Sequence, residues 1–150
     1  MTRDGFQFSH RLRVRWAEVD MQGIVFNGHY LMYFDVAFTE YWRELGLESP
    51  LEQAKTGYEM FARKSTIEFH APARFDDLLD VFVRCVKLGR TSLQFLLEIH
   101  RQGDPDQTQD ELLVSGELVY VYANALARAP EPVPGHWRER LRTFEAKSEL

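Results

Sequence analysis

Segment 27–45 is the part of the sequence that most limits how this chain can fold. Its apolar side chains recur at three- and four-residue spacing, which is typical of one face of a helix. They are Tyr30, Leu31, Phe34, Ala37, Phe38, Tyr41, Trp42 and Leu45. Because they leave only a narrow polar edge, the pattern predicts a long helix that is largely enclosed by other structure. Asn27 is expected to cap the start of this helix, and Gly46 to end it in the left-handed conformation.

Most of the remaining apolar pattern has a period of two residues, which indicates strands with one buried face. Turn residues such as Gly89 and Arg90 separate the segments, so we expect neighbouring strands to pair antiparallel. The predicted strands are 6–16, 59–70, 78–88, 91–101 and 111–123. The sequence therefore predicts an α+β fold in which a five-stranded antiparallel sheet wraps around a long central helix.

The length of 150 residues fits one domain. We expect its core to span about 6–124, followed by a C-terminal tail with a short helix at 136–147. Segment 50–57 is predicted to be either a linker or a short extra helix. The outer face of the sheet carries Leu96, Leu113, Val119 and Val121, and this apolar surface favours a homo-oligomer.

Composition excludes several classes of function. The formal charge of −5 argues against binding to nucleic acid or to an anionic membrane surface. The sequence contains no apolar run of membrane-spanning length and no signal-peptide pattern, so a cytoplasmic protein is expected. The single cysteine, Cys85, is predicted to lie in the core. The histidines lack zinc-ligand spacing, and no nucleotide-cofactor motif is found, so we predict neither a metal nor a cofactor.

The loop before the long helix combines Asp20 with two glycines, Gly23 and Gly28. The start of a helix presents unpaired N–H groups that can stabilise an oxyanion. Gly28 would let a ligand approach this backbone closely, while Asp20 can fold back towards it. A carboxylate opposite an oxyanion site suits attack on an activated carbonyl. By residue types alone, an ordinary turn before a helix remains the alternative.

The stretch Val14 to Gly46 resembles the signature of hotdog-fold acyl-CoA thioesterases of the 4-hydroxybenzoyl-CoA thioesterase family. The elements that carry the resemblance are Asp20, Gly23, Ile24, Val25, Phe26 and Tyr30. Segments 67–81, 88–101 and 115–124 are similar to strands of that family. The chain departs from the family at Glu18, Val19, Asn27 and His29.

The resemblance implies a hotdog fold and a role for several residues. Asp20 is implied to be the catalytic carboxylate, as nucleophile or as the base that orients a water. The Asn27 backbone N–H is implied to polarise the thioester carbonyl, with Gly28 beside it. The implied substrate contacts around this point are Gly23, Val25, Phe26, His29 and Tyr30.

Coenzyme A is an anion, so a chain of negative net charge must bind it through a local basic patch. The turn "KLGRTS" provides Lys87, Arg90, Thr91 and Ser92, in a region that lies near the nucleotide in the family. A solvated hairpin tip is the alternative for this turn.

The predicted function is hydrolysis of an acyl-CoA, or acyl-carrier-protein, thioester to a free carboxylic acid. A non-catalytic module that binds acyl-CoA or an acyl-carrier protein on the same fold is the alternative. A homodimer or homotetramer is expected. The sequence leaves the acyl group open.

Overall fold

The computed structural model describes residues 5–103 and 110–146, in which one antiparallel sheet surrounds a long helix. Its strands are β1 (Phe8–Arg13), β2 (Tyr58–Phe69), β3 (Leu78–Leu88), β4 (Ser92–Arg101), β5 (Glu111–Asn124) and the short β6 (Ala129–Pro130). Its helices are α1 (Gly28–Leu45), α2 (Pro50–Thr56) and α3 (Gly135–Phe144), with a 3-10 turn at Trp16–Glu18. The predicted α+β architecture is confirmed, and β6 is an addition that the sequence analysis did not foresee.

The five long strands lie in the order β1-β3-β4-β5-β2, with β6 beside β5. Strand β2 therefore stands at one edge, and among the described strands it pairs only with β5. It is 12 residues long, and a bulge between Ala62 and Lys64 shifts its register against β5. A long unpaired edge exposes main-chain donors and acceptors to a further strand.

Helix α1 packs its aromatic face against the concave side of the sheet. Phe34, Tyr41 and Trp42 are buried, as the spacing predicted. Leu31 is different, because 41% of its surface is exposed. The sheet of one chain covers only one side of the helix, so the expectation that Leu31 is enclosed is wrong for the single chain.

The ends of α1 partly match the expectation. Gly46 adopts the left-handed conformation with φ of 71° and closes the helix as predicted. Asn27, however, has a helical conformation, and its side chain accepts no capping hydrogen bond. The prediction that Asn27 caps the helix is therefore wrong, because a residue already in the helical region cannot aim its side chain at the next turn.

The segment after α1 forms the helix α2, one of the two alternatives for this segment. Its start is capped by Ser49, whose hydroxyl accepts the Glu52 N–H at 3.2 Å. None of the helices in the described part of the chain is long and apolar enough to cross a membrane.

The C-terminal helix α3 adds to the core instead of lying outside it. Trp137 and Leu141 are buried, and the Trp137 ring lies 4.9 Å from that of Trp42, centroid to centroid. Arg140 Nε donates to the Leu45 carbonyl at 3.0 Å. The core therefore extends past Asn124, where the sequence placed its end. The helix stops at Phe144, short of the predicted 147, which lies outside the described residues.

Candidate active site

The loop between the 3-10 turn and α1 is held by main-chain hydrogen bonds at both of its ends. Val19 and Val25 form an antiparallel bridge, and the Asp20 N–H donates to the Ile24 carbonyl at 2.9 Å. The Val25 N–H donates to the Ala73 carbonyl at 2.9 Å, which ties the loop to the segment before β3. These bonds fix the loop next to the N-terminus of α1.

Asp20 lies at the start of this loop and is half-buried. One carboxylate oxygen, Oδ1, accepts the Gln22 N–H at 2.8 Å, which orients the side chain. Gly23 permits the tight return of the chain, since its φ of 77° is unfavourable for other residues. Burial raises the pKa of Tyr30, and the negative charge of Asp20 raises it further.

The first N–H groups of α1 provide the possible oxyanion donors. The His29 N–H donates to Phe26 O at 2.9 Å, and the Tyr30 N–H to Asn27 O at 3.4 Å. Within the described residues, the N–H groups of Asn27 and Gly28 have no hydrogen-bond acceptor. Both residues are exposed. Two adjacent free donors at a positive helix end can bind an anionic oxygen.

The other residues predicted around this point have different surroundings. Val25 is buried in the core, and Phe26 is largely exposed beside the helix start. His29 is half-buried, with its ring 6.0 Å from the Phe26 ring, centroid to centroid. Tyr30 is buried, and its hydroxyl accepts the Ala73 N–H at 3.0 Å. Tyr30 and Val25 thus support the loop, while Phe26 and His29 border the free donors.

Glu18 is a feature of the site that the sequence analysis recorded only as a departure from the family. Its side chain is buried with 4% of its surface exposed. Tyr33 Oη donates to Oε1 at 2.8 Å, while Arg15 Nε and Nη2 donate to Oε2 at 2.9 and 2.8 Å. Burial alone would raise the pKa of Glu18, but the hydrogen bonds from Arg15 and Tyr33 outweigh it and hold the pKa below its usual value. Arg15 and Glu18 are three residues apart, a spacing at which opposite charges can pair. The sequence therefore contained an indication of this ion pair.

The predicted coenzyme A contacts do not join the Asp20 loop within one chain. Lys87, Arg90, Thr91 and Ser92 lie at or beyond the end of β3, whereas the Asp20 loop contacts the segment before its start. Strand β3 spans about 30 Å between these points. Within one chain, this turn and the Asp20 loop are therefore separated by the length of the strand, and the assignment of the turn to coenzyme A stays a prediction.

The turn itself is tied to the C-terminal helix. Arg138 Nη2 donates to the main-chain carbonyls of Gly89 and Arg90, the latter at 2.8 Å. Thr91 and Ser92 are half-buried, while Lys87 and Arg90 are exposed. The two cations are thus presented on a hairpin that α3 supports.

A cavity of about 460 Å³ lies further along α1 and was not predicted. Its wall combines aromatic and apolar side chains with charged ones. The former include Phe38, Trp42, Met60 and Tyr120, and the latter are Asp35, Arg43, Glu52 and Glu59. One face of α1 carries residues at three- and four-residue spacing, namely 28, 31, 35 and 38. Phe38 is about 15 Å from Gly28 along the axis. The exposed Leu31 lies on this path.

Two further kinds of chemical group were considered from the sequence, possible metal ligands and the thiol of Cys85. Across residues 5–103 and 110–146, no group of three or more His, Cys, Asp and Glu side chains is placed to hold a metal ion. Cys85 is buried, as predicted, and burial raises its pKa to about 12. A thiol of that pKa is a poor nucleophile near neutral pH.

Comparison with known sequences identifies the family of this chain. Residues 22–107 match the family model described as the thioesterase superfamily, 4HBT. The chain is 28% identical over 127 residues to the acyl-CoA thioester hydrolase YbgC of Escherichia coli O6:H1, covering 85% of this chain and 90% of that protein. It is 32% identical over 89 residues to a putative esterase of Aquifex aeolicus, covering 59% of this chain and 68% of that protein.

Comparison with solved structures supports the fold. A 1,4-dihydroxy-2-naphthoyl-CoA thioesterase from Synechocystis superposes with a TM-score of 0.81 at 21% identity. The superposition covers 89% of this chain and 94% of that one. At such an identity the likeness establishes the fold and no more, and it agrees with the hotdog fold implied by the sequence.

Proposed function

The chain belongs to the thioesterase superfamily, and we propose that it hydrolyses acyl-CoA thioesters to a free carboxylic acid and coenzyme A. The observation that carries this proposal is the pair of unoccupied N–H groups at Asn27 and Gly28, which end the loop that begins with the half-buried Asp20. Hydrolysis of a thioester needs an oxyanion site and a group that delivers an oxygen nucleophile, and this loop offers both.

In the proposed reaction, the thioester carbonyl oxygen lies against the N–H groups of Asn27 and Gly28. These donors stabilise the negative charge that develops on this oxygen when the carbonyl carbon is attacked. Asp20 either takes a proton from the attacking water or attacks the carbon itself, giving an anhydride that water then hydrolyses. In both routes the C–S bond breaks, the thiolate leaves, and the second product is a carboxylic acid. Phe26 and His29 are proposed to contact the substrate, with Gly23, Val25 and Tyr30 holding the loop.

The acyl group is proposed to follow α1 from Gly28 past Leu31 to the cavity near Phe38 and Trp42. The support is the exposed apolar side chain of Leu31 and the aromatic wall of the cavity. This path is about 15 Å long, so it suits an extended acyl group better than a short one.

We further propose that the chain works as a homodimer or homotetramer. The free edge of β2 and the exposed face of α1 are surfaces that a second copy can cover. In such an assembly, Lys87 and Arg90 of another copy are proposed to contact the coenzyme A phosphates. Sedimentation velocity over a range of concentrations tests this assembly.

The function is tested by following thiol release from acyl-CoA substrates of increasing chain length. The wild type is expected to hydrolyse at least one class well above the uncatalysed rate. Asp20→Asn is expected to lower kcat by about 10³-fold or more, because the amide is a poorer base and nucleophile than the carboxylate. Its thermal unfolding is expected to match that of the wild type.

A suitable control is Glu44→Gln, which alters an exposed carboxylate at the far end of α1 from Gly28. It is expected to leave turnover unchanged. Turnover by Asp20→Asn at the wild-type rate would remove Asp20 from the mechanism. Tight binding of acyl-CoA with no thiol release by the wild type would instead support the non-catalytic binding module.

A further inference from the structure

We infer that Glu18 is a positioning residue, which holds the Asp20 loop against the first turns of α1 and so sets the geometry between the carboxylate and the N–H donors. This inference rests on the proposed function, since it assigns a role within the same site. Glu18 does not contact the substrate in this scheme. Its effect on the reaction passes through the loop.

The side chain of Glu18 connects the entry of the loop to the helix. Oε1 accepts both the Tyr33 hydroxyl and the Arg15 N–H at 2.8 Å. Oε2 accepts two N–H groups of the Arg15 guanidinium. Tyr33 belongs to the second turn of α1, five residues after Gly28. The buried carboxylate therefore links the main chain just before Asp20 to the helix that supplies the donors.

The main chain of Glu18 connects to the exit of the loop. Its carbonyl oxygen accepts the Phe26 N–H at 3.0 Å. Phe26 is the residue directly before Asn27, the first of the free donors. One residue thus holds the loop on both sides, because its side chain reaches α1 while its carbonyl fixes the residue before the donors.

The chemistry of the network requires a carboxylate at this position. Four donor groups converge on the two oxygens, and no acceptor takes part. A carboxylate can only accept hydrogen bonds, whereas the amide of glutamine brings two donors. In Glu18→Gln the NH₂ group replaces either the oxygen that faces the guanidinium or the oxygen that faces Tyr33 and the Arg15 main-chain N–H, so in either orientation at least one N–H of Arg15 loses its acceptor.

The most selective test is Tyr33→Phe, which removes only the hydroxyl that links Glu18 to α1. We expect kcat to fall about tenfold to a hundredfold, since a small misplacement of reacting groups has effects of this size. KM is expected to change by less than about threefold, because neither residue contacts the substrate. Glu18→Gln is expected to act in the same direction. The double variant should be little worse than the more severe single variant, because both changes break one network.

Glu48→Gln is the matched control. Glu48 also accepts a hydrogen bond from a buried aromatic side chain, Trp137, but it lies beyond the other end of α1. This variant is expected to lower the melting temperature with kcat unchanged at a temperature where it is folded. If Tyr33→Phe behaves in the same way, with lower stability and full kcat, then Glu18 has only a structural role and the inference is wrong.

Hydrogen exchange of the amides provides a measurement that does not depend on turnover. The hydrogen-bonded amides of Asp20, Val25 and Phe26 are expected to exchange about tenfold faster in Tyr33→Phe than in the wild type, while β3 and β4 stay unchanged. Faster exchange in Tyr33→Phe, together with a wild type that releases no thiol, would support the loop contact and reject the proposed function. Unchanged exchange with normal wild-type turnover would reject the positioning role alone.

Discussion

At the scale of single residues, a substitution of Gly28 tests whether the substrate approaches this backbone. The substitution is expected to leave the fold intact. A methyl group at this position meets only the Phe26 ring, at 3.4 Å, so alanine fits within the chain. Alanine also favours a helix over glycine by about 1 kcal/mol. Gly28→Ala is therefore expected to keep or raise the melting temperature. The same methyl group crowds the free N–H groups, so kcat/KM is expected to fall about tenfold or more.

Gly135→Ala gives the comparison, because Gly135 is also the first residue of a helix and its added methyl group meets nothing within 4 Å. It should gain stability and keep full activity. Thermal unfolding and thiol release measured on both variants decide the question. Full activity of Gly28→Ala would mean that the carbonyl does not approach this backbone.

The sequence allowed prediction of those site residues whose role depends on residues close to them in the chain. Asp20, Gly23 and Gly28 lie in one short loop before a clear helix, so their proximity was predictable. The full role of Glu18 was not, because its contact with Tyr33 joins residues 15 positions apart. Sequence spacing likewise could not place Lys87 relative to Asp20, since their separation depends on the direction of β3.

At the scale of elements, the contact between α1 and β5 depends on Gly116. A methyl group there would lie 2.5 Å from Phe34 Cε2 and 2.5 Å from the main-chain oxygen of Thr66. Gly116→Ala is therefore expected to destabilise the fold by about 1–3 kcal/mol. Denaturant unfolding measures this change directly.

Two further variants identify the cause of that loss. Ser115→Ala, at the preceding position of β5, should have a smaller effect, because Ser115 is only half-buried and bonds to an exposed histidine, His70. Phe34→Leu combined with Gly116→Ala should cost less than the sum of the two single changes, since the shorter side chain makes room for the methyl group. Strict additivity would show that the ring is not the source of the strain.

The elements themselves were largely predictable, because alternation and helical spacing are strong over long segments. Strand β3 was predicted with its observed bounds, β4 and β5 differ by one residue at one end, and β2 differs by one residue at each end. Trp16 was assigned to the buried face of the first strand, yet 74% of its surface is exposed. The strand ends at Arg13 and a 3-10 turn follows. The alternation of apolar and polar residues in the sequence therefore extends beyond the end of the strand.

At the scale of the whole molecule, α3 closes one end of the fold and brings a carboxylate into the interior. Glu145 has no exposed surface, and its Oε2 accepts the Cys85 N–H at 2.6 Å. Its other oxygen, Oε1, has no hydrogen-bond partner among the described residues. Burial raises the pKa of Glu145 to about 7, against the opposing effects of the Cys85 N–H and the charge of Arg84.

This raised pKa predicts how the stability of the whole chain varies with pH. In the unfolded chain the Glu145 carboxyl has its ordinary pKa of about 4.5. Between about pH 4.5 and 7 the folded state keeps the proton that the unfolded state has lost, so the free energy of unfolding falls as pH rises. Above pH 7 both states are ionised and the loss is constant, at most about 3 kcal/mol.

Glu145→Gln keeps an oxygen that can accept the Cys85 N–H but cannot ionise, so it should remove this part of the pH dependence. The variant is expected to gain stability over the wild type as pH rises from 5 to 8, by up to about 3 kcal/mol. Denaturant unfolding of both proteins at each pH measures the difference. Glu139→Gln changes an exposed carboxylate on the same helix, and its difference from the wild type should stay constant over this range. If the Glu145→Gln difference is equally constant, then the carboxyl is ionised in the folded state throughout, and α3 carries a buried charge that its surroundings already stabilise.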